Sequence, residues 1–533
     1  MKISLSSLAS FINSMPKRAF AQTEKGMLAL QGTDTLCGED IRVQLKKSAQ
    51  GLKIAIQAGE STLCRVTLEW AVDLPADTRV LCDHWERGYG DLGFRGLSYE
   101  RVLPWYFIAA GDKRVGVGVK TGASAFCSFT LTRDTLRLCI DVRNGAMGVR
   151  LNGRNLEAAE VVVMQSAGEE SSFAFTHAFC KQLCDNPLMP DAPVYGGNNW
   201  YYAYGESSQE KILEDSRFIA DLAPATKNRP YMFIDDGWQI CRNTDFCGGP
   251  WHVSNHKFPD MPRLAEDMKK LGLRPGLWIR PLLNARNFPA EWRLPPERFL
   301  KRELGGEFGC FLDPSIPEAL EWIAADIALL RAWGFEAIKH DYTTYDILGR
   351  WGMDMGTDMT CPGWHFSDRT RTTMEIILAL YRGISTAAGE ALVLGCNTIS
   401  HAAAGLFQMQ RTGDDTSGVD WARTRKMGVN TLAFRAAQHG AFYAADADCV
   451  GITDEIPWEL NSEWLNLVAK SGTPLLVSID PKTATAEHVK ALKKAFAEAS
   501  EEQPLLEPLD WMDTDFPTEY NLCHVKTRFK WEL

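Results

Sequence analysis

At 533 residues the chain is longer than one ordinary domain, and its 45% apolar and 23% charged content is that of a globular protein soluble in water. A formal net charge of −11 excludes the concentrated basic face that nucleic acid or an anionic membrane surface requires, so neither is expected as a partner. No apolar run reaches the roughly 18 residues of a membrane-spanning helix, so no transmembrane helix is expected.

The first residues, Met1-Lys2-Ile3-Ser4-Leu5, develop no apolar core before Asn13, Lys17 and Arg18, so no export signal is expected. The 14 cysteines lie scattered in apolar segments and read as reduced thiols of a cytoplasmic protein. Cys241 and Cys247 have no matching second pair, and His252, His256, His340 and His401 lack ligand spacing. No metal and no cofactor is expected.

Residues 1–188 show period-two alternation. Val66, Leu68 and Trp70 alternate with polar residues, as do Leu136, Leu138, Ile140 and Val142. Glycines at 51, 59 and 122 and the Asn152-Gly153 pair punctuate the region, and a β-sandwich is the natural packing for such strands. No constellation of chemical groups stands out in it.

Residues 189–482 change pattern. Eight short apolar segments alternate with helix-length stretches: Val194–Trp200, Tyr231–Asp235, Pro275–Arg280, Phe335–Asp341, Ala391–Asn397, Leu406–Arg411, Ala441–Asp446 and Pro474–Asp480. Met261, Leu264, Met268 and Leu271 form a helical stripe ending at Gly272, and Ser315-x-x-Glu318 has the form of a capping box before a helix stopped by Gly334. Strict alternation means parallel crossovers, and eight repeats over roughly 290 residues fit a closed (β/α)8 TIM barrel. An open doubly wound sheet would show a Gly-rich phosphate loop after its first strand, where Asn198-Asn199-Trp200-Tyr201-Tyr202 stands instead. Trp200 and Tyr201 either line a pocket or plug the barrel. Residues 483–533, beginning with a helix over Ala486–Ala499, form a short C-terminal extension.

Chemistry in such barrels sits at the C-terminal ends of the strands. The second segment ends in Asp235-Asp236-Gly237-Trp238, the third in Trp278-Ile279-Arg280, the fourth in Lys339-His340-Asp341, the sixth in Arg411-Thr412-Gly413-Asp414-Asp415 and the seventh in Asp446-Ala447-Asp448. Any one of these aspartates could simply cap the next helix. A ring of Asp, Lys, Arg and Trp at one mouth is what a neutral sugar needs: carboxylates accept from its hydroxyls, and indoles cover its apolar faces.

Taken together and in order, Asp-Asp-Gly-Trp, Lys-x-Asp, Arg-x-x-x-Asp and Asp-x-Asp resemble the α-galactosidase clan. Within it the chain is most similar to glycoside hydrolase family 36 and its raffinose-synthase-like relatives. The resemblance covers residues 190 to 480 and the order of domains. It implies that Asp341 is the nucleophile and Asp415 the acid/base, with Asp414 the neighbour most easily confused with it. It implies that Asp235 and Asp236 hold the 4- and 6-hydroxyls of galactose, and that Lys339, Arg411, Asp446 and Asp448 surround the sugar. Trp238, Trp278, Arg280, Cys396 and Asn397 complete the implied binding set. The chain departs from the family pattern at Arg280-Pro281, where Glu-Pro is usual, and at Cys396-Asn397-Thr398-Ile399-Ser400, where a Gly-rich segment is usual. The latter loop reads the 2-position, so galactose against N-acetylgalactosamine stays open.

The chemistry is consistent without the family. Glycoside cleavage with retention needs an attacking carboxylate and a protonated carboxyl. Lys339, two residues from Asp341, shares its face of the strand and would keep it ionised. Proximity to ionised Asp341 would raise the pKa of Asp415. The expected partner is a small oligosaccharide. The alternatives are a transglycosidase of the raffinose-synthase type, a barrel enzyme using the Asp clusters as Mg²⁺ or Mn²⁺ ligands, and a non-catalytic sugar-binding protein. Natural substrate and oligomeric state, including a homo-oligomer, stay open.

Overall fold

The computed structural model describes residues 5–49, 51–168, 170–242, 246–299 and 309–533; the start of the leader reading, residues 1–4, lies outside them. The period-two segments form antiparallel strands. Residues 62–71 and 135–141 pair so that Trp70 faces Leu136, Leu68 faces Leu138 and Val66 faces Ile140, all buried. Ile41, Val43 and Leu45 likewise point inward while Arg42, Gln44 and Lys46 face water. The strands build one seven-stranded and one nine-stranded sheet. Phe107 of the second sheet meets Phe129 of the first edge to face, with centroids 5.4 Å apart. Asn152 and Gly153 turn the chain with φ of 50° and 78°.

A helix over Ser172–Leu183 leaves this sandwich, capped by the Ser171 hydroxyl, which accepts from the Ala174 N–H. Its Phe179 ring lies where a Cβ on Gly116 would stand, so only glycine lets helix and sheet come this close.

The barrel follows. Its strands are Tyr195–Asn198, Tyr231–Ile234, Arg274–Ile279, Ala337–His340, Leu392–Gly395, Met409–Arg411, a split seventh and Leu475–Ile479. All neighbours pair in parallel. The seventh strand breaks at Ala447-Asp448, where Asp448 takes φ 69°. Its first half, Ala444–Asp446, pairs with the sixth strand; its second half, Cys449–Ile452, pairs with the eighth, which pairs with the first. The ring therefore closes through one strand that is kinked between its two partners. Tyr231, Phe233, Leu394, Met409 and Leu476 fill the interior.

Met261–Lys270 is the expected helix, burying Met261, Leu264 and Met268 and turning at Gly272 with φ 87°. The expected capping box at Ser315 does not form. Pro317 starts that helix, so Ile316 holds the cap position, and the Ser315 hydroxyl accepts from the Asp368 N–H at 3.1 Å instead. A true capping box occurs at Thr372 and Glu375, before the helix Thr373–Ala388. The C-terminal helix spans Ala486–Ala499, and a three-stranded sheet between residues 507 and 528 follows. Among the described residues no helix is long and apolar enough to cross a membrane.

Candidate active site

Parallel strands point their ends to one face, so the residues just past each strand converge there. Asp235 stands past the second strand and Lys339 within the fourth. Their Nζ–Oδ2 distance is 2.6 Å, and both side chains are about 95% buried. Asn198, on the first strand, donates to the same Asp235 oxygen at 2.8 Å, and the Asp236 N–H donates to the other at 2.9 Å. Desolvation opposes the Lys339 charge, but Asp235 outweighs it and holds the ammonium ionised. Asp236 accepts from Gln239 Nε2 at 2.6 Å; burial, with the nearby Asp235 charge, pushes its carboxyl up to about 6.

Asp341 is half-buried. Its Oδ2 accepts from the Trp278 indole N–H at 3.1 Å and its Oδ1 from the Tyr342 N–H at 2.7 Å. Tyr342 takes φ 64°, which turns the chain sharply enough for that contact.

Asp415 lies past the sixth strand with its side chain 40% exposed, 3.2 Å from Arg411 Nη2. Arg411 is fixed in turn by Asp448 at 2.7 Å. The same Asp448 oxygen, Oδ2, also accepts from the Thr416 N–H and hydroxyl and from the Tyr201 hydroxyl. Tyr201 is thereby a buried support, not a pocket wall. Asp446 accepts from the Asp448 N–H at 3.0 Å, and burial raises its carboxyl to about 6.

The expectation that Asp415 carries a raised pKa is overturned. Burial favours that, but Arg411, Arg87, Lys339 and Arg423 outweigh it and hold the carboxyl at about 2. Asp415 therefore faces a cation-rich wall and is ionised, whereas Asp341 is held by the neutral Trp278 and Tyr342 donors.

Several expected sugar contacts are committed inside the protein instead. Trp238 has no accessible surface; Gly237, at φ 122°, swings it away from the mouth, where its N–H is taken by the Trp278 carbonyl at 2.9 Å. Arg280 forks onto Asp346, with contacts down to 2.7 Å, donates to Cys247 Sγ at 2.9 Å and lies 4.0 Å over the Tyr342 ring. Cys396 is buried beneath Arg411. Asn397 spends its amide on Glu86 at 2.7 Å and on the Tyr345 N–H.

Sequence reasoning missed a loop of the sandwich. Residues 83–93 reach the barrel mouth and bring Glu86 and Arg87 with them. Both are buried, and Arg87 Nη2 lies 2.6 Å from Asp414. The signal was Asp83-His84-Trp85-Glu86-Arg87, a charged and aromatic cluster in a region otherwise made of apolar strands.

Asp235, Asp415 and Asp448 are thus each paired with lysine or arginine. Among the described residues no group of three or more His, Cys, Asp or Glu side chains is arranged to hold a metal ion.

A closed (β/α)8 barrel with a carboxylate-bearing mouth, flanked by an antiparallel sandwich, is the class this architecture defines. It is the fold of the glycoside hydrolase family 36 α-galactosidases. The α-galactosidase TtGalA of Thermus thermophilus, solved with p-nitrophenyl α-D-galactopyranoside, superposes with a TM-score of 0.62 at 17% identity over 96% of this chain and 99% of that one. The family 36 α-galactosidase AgaA of Geobacillus stearothermophilus, a variant solved with raffinose, gives 0.62 at 14% identity over 94% of this chain and 78% of that one. In sequence the chain is 34% identical to α-galactosidase AgaA of the same organism over 92 residues, which span 17% of this chain and 12% of that protein. No family model matches the chain.

Proposed function

We propose that the protein is a glycosidase that cleaves terminal α-galactosides with retention of configuration, Asp341 attacking the anomeric carbon and Asp415 acting as acid and then base. The observation that carries this reading is a difference among the carboxylates of the mouth. Asp235, Asp236, Asp446, Asp448, Asp346 and Glu86 are buried, and Asp414 is clamped between Arg87 and Arg423. Asp341 and Asp415 alone among them combine an accessible carboxylate with a place beside a rigid donor. Two such groups on strands four and six are what double displacement requires.

The derived course is short. Trp278 and the Tyr342 N–H orient Asp341, whose oxygen displaces the leaving group and forms the ester to the sugar. Asp415 gives its proton to the departing oxygen, then takes one from the water that cleaves the ester. Asp415 is ionised, so the acid role requires it to take up that proton on substrate binding, when the sugar displaces the water that solvates the carboxylate. Buried Asp235 and Asp236, at the floor beside Lys339, accept from sugar hydroxyls. The family 36 relatives solved with raffinose and stachyose support an α-galactosyl oligosaccharide as the substrate class.

The test is hydrolysis of nitrophenyl glycosides of both anomers, with NMR of the first product. Cleavage of the α-galactoside giving the α-anomer first is expected. Cleavage of β-glycosides alone, or a β-configured first product, would overturn the reading.

A further inference from the structure

The segment between sandwich strands 79–82 and 95–96 crosses to the barrel and is fastened there along its length. The Gly88 N–H donates to the Thr412 carbonyl at 2.8 Å, and the Asp414 N–H donates back to the Gly88 carbonyl at 3.0 Å. Arg435, on the barrel, donates to the Glu86 carbonyl at 2.9 Å and pairs with Asp83 at 2.9 Å. Asn430 donates to the Leu92 carbonyl at 2.8 Å, and Trp85 donates to the Gly356 carbonyl at 3.0 Å. Backbone carbonyls held at this many points do not slide, so the side chain between them is delivered to a fixed place.

That side chain is Arg87. The side chain is 96% buried, lies 2.6 Å from Asp414, 3.6 Å from Glu86 and 4.0 Å from Asp415, and approaches Cys396 Sγ at 3.7 Å, with the Trp351 ring 5.6 Å away. Asp414 is thus held from outside the barrel, and Asp415 is the next residue on the same short loop. The Asp415 carboxylate faces Arg411 from its own strand, Lys339 from the fourth, Arg423 from the following helix, and the Tyr201 and Tyr342 rings. Arg87 is the one cation in this set that comes from outside the barrel.

We propose that Arg87 is a positioning residue for the acid/base: through Asp414 it sets where the Asp415 carboxyl stands, and by its charge it sets how readily that carboxyl takes a proton. The role assigned to Asp415 rests on the proposed function; the placement of Arg87 does not. A sandwich is then not an appendage to the barrel but one wall of its proton-transfer machinery. Asp414, the neighbour confusable with Asp415, becomes the anchor that keeps Arg87 from pairing with Asp415 outright.

The experiment uses the full chain with Arg87→Met, Arg87→Lys and Asp414→Asn. Rates are measured against pH for an aryl α-galactoside with a poor leaving group and for one with a good leaving group. With Arg87→Met the carboxyl loses a facing cation, so the alkaline limb for the poor leaving group should move upward by about one pH unit or more. Arg87→Lys keeps the charge and should restore the limb while losing the planar guanidinium's contact with Asp414, leaving kcat reduced for the poor leaving group. Asp414→Asn removes an anion and frees Arg87, so the limb should move downward. A uniform loss of rate in Arg87→Met, with no shift of the limb and no difference between leaving groups, would show a merely structural role and overturn the proposal. Should Arg87→Met fail to fold, the opposite shifts expected of Asp414→Asn and the unshifted limb of Arg87→Lys still decide it. If the wild type cleaves no α-galactoside, the functional reading falls. The positioning claim is then judged on the carboxyl titration of Asp415, assigned by its loss in Asp415→Asn and expected to rise in Arg87→Met.

Discussion

The Trp278 indole N–H points at Oδ2 of Asp341 across 3.1 Å, joining the ends of the third and fourth barrel strands. An indole N–H only donates, so it stabilises the ionised carboxylate more than the neutral acid and fixes the plane in which the carboxyl lies. The other Asp341 oxygen is fixed by the Tyr342 N–H. The carboxylate is oriented by two neutral donors, and among the described residues it forms no ion pair that would have to be broken as it attacks.

Trp278→Phe keeps the ring packed edge-on against Trp251 and near Tyr342 but removes the donor. A hydrogen bond to a charged group is worth about 1.5–3 kcal/mol, so kcat/KM should fall by roughly ten- to a hundredfold. Melting temperature should change little. Steady-state kinetics with a thermal melt check both; an unchanged rate would show that Trp278 does not orient Asp341.

Asp235 and Lys339 share a buried ion pair of 2.6 Å, so a single truncation leaves a buried charge without its partner. Asp235→Ala or Lys339→Met should each cost about 3–5 kcal/mol of stability, and the double variant less than the sum. Asp235→Asn keeps the shape and is the cleaner probe of sugar binding. It should lose galactose affinity while staying folded, read by calorimetry beside chemical denaturation. Unchanged affinity in folded Asp235→Asn would remove Asp235 from the sugar site.

Asp236 titrates near 6 in the folded protein, above an ordinary aspartate near 4, because burial disfavours its charge. A raised folded pKa means the native state holds the proton more tightly, so its contribution is present below about pH 4 and is lost as pH rises through about 6. Asp236→Asn cannot ionise. Relative to wild type it should therefore be more stable at pH 7, with the gap closing toward pH 4, while its turnover of galactosides falls. Thermal melts across that range test it, and a gap that widens on acidification would contradict the burial of an ionised Asp236.

The barrel was legible because its strands are short apolar runs, most of them ending in charge, and because helix and strand periods do not overlap. The sandwich was legible from one pair of strands: Val66, Leu68 and Trp70 meet Ile140, Leu138 and Leu136 because equal periods put equal faces together. The site was legible where a residue's place follows from its strand, as for Asp235, Lys339 and Arg411. It was not legible where a backbone turn decides direction. Gly237 sends Trp238 into the core, and Pro317 moves the helix start past Ser315. Nor does any local pattern join Arg87 to Asp414, some 330 residues later, since only tertiary packing brings a sandwich loop to the barrel mouth.

The assignments of Asp341 and Asp415 separate in kinetics. Asp341→Ala should lose nearly all activity, since no other accessible carboxylate on the fourth strand can attack. Azide, small enough for the vacated space, should restore part of it by attacking the anomeric carbon itself, giving a β-galactosyl azide. Asp415→Ala should spare substrates whose leaving group departs without a proton and penalise those that need one, by a factor of about 10²–10⁴. In that variant azide should also speed breakdown of the galactosyl ester, because the missing base no longer activates water. The azide product would then be α-configured, having inverted twice. Opposite anomers from the two variants, read by NMR, assign the roles independently of any rate. The same azide anomer from both would mean that Asp341 and Asp415 do not divide the two displacements between them, and the double-displacement reading of this site would have to be given up.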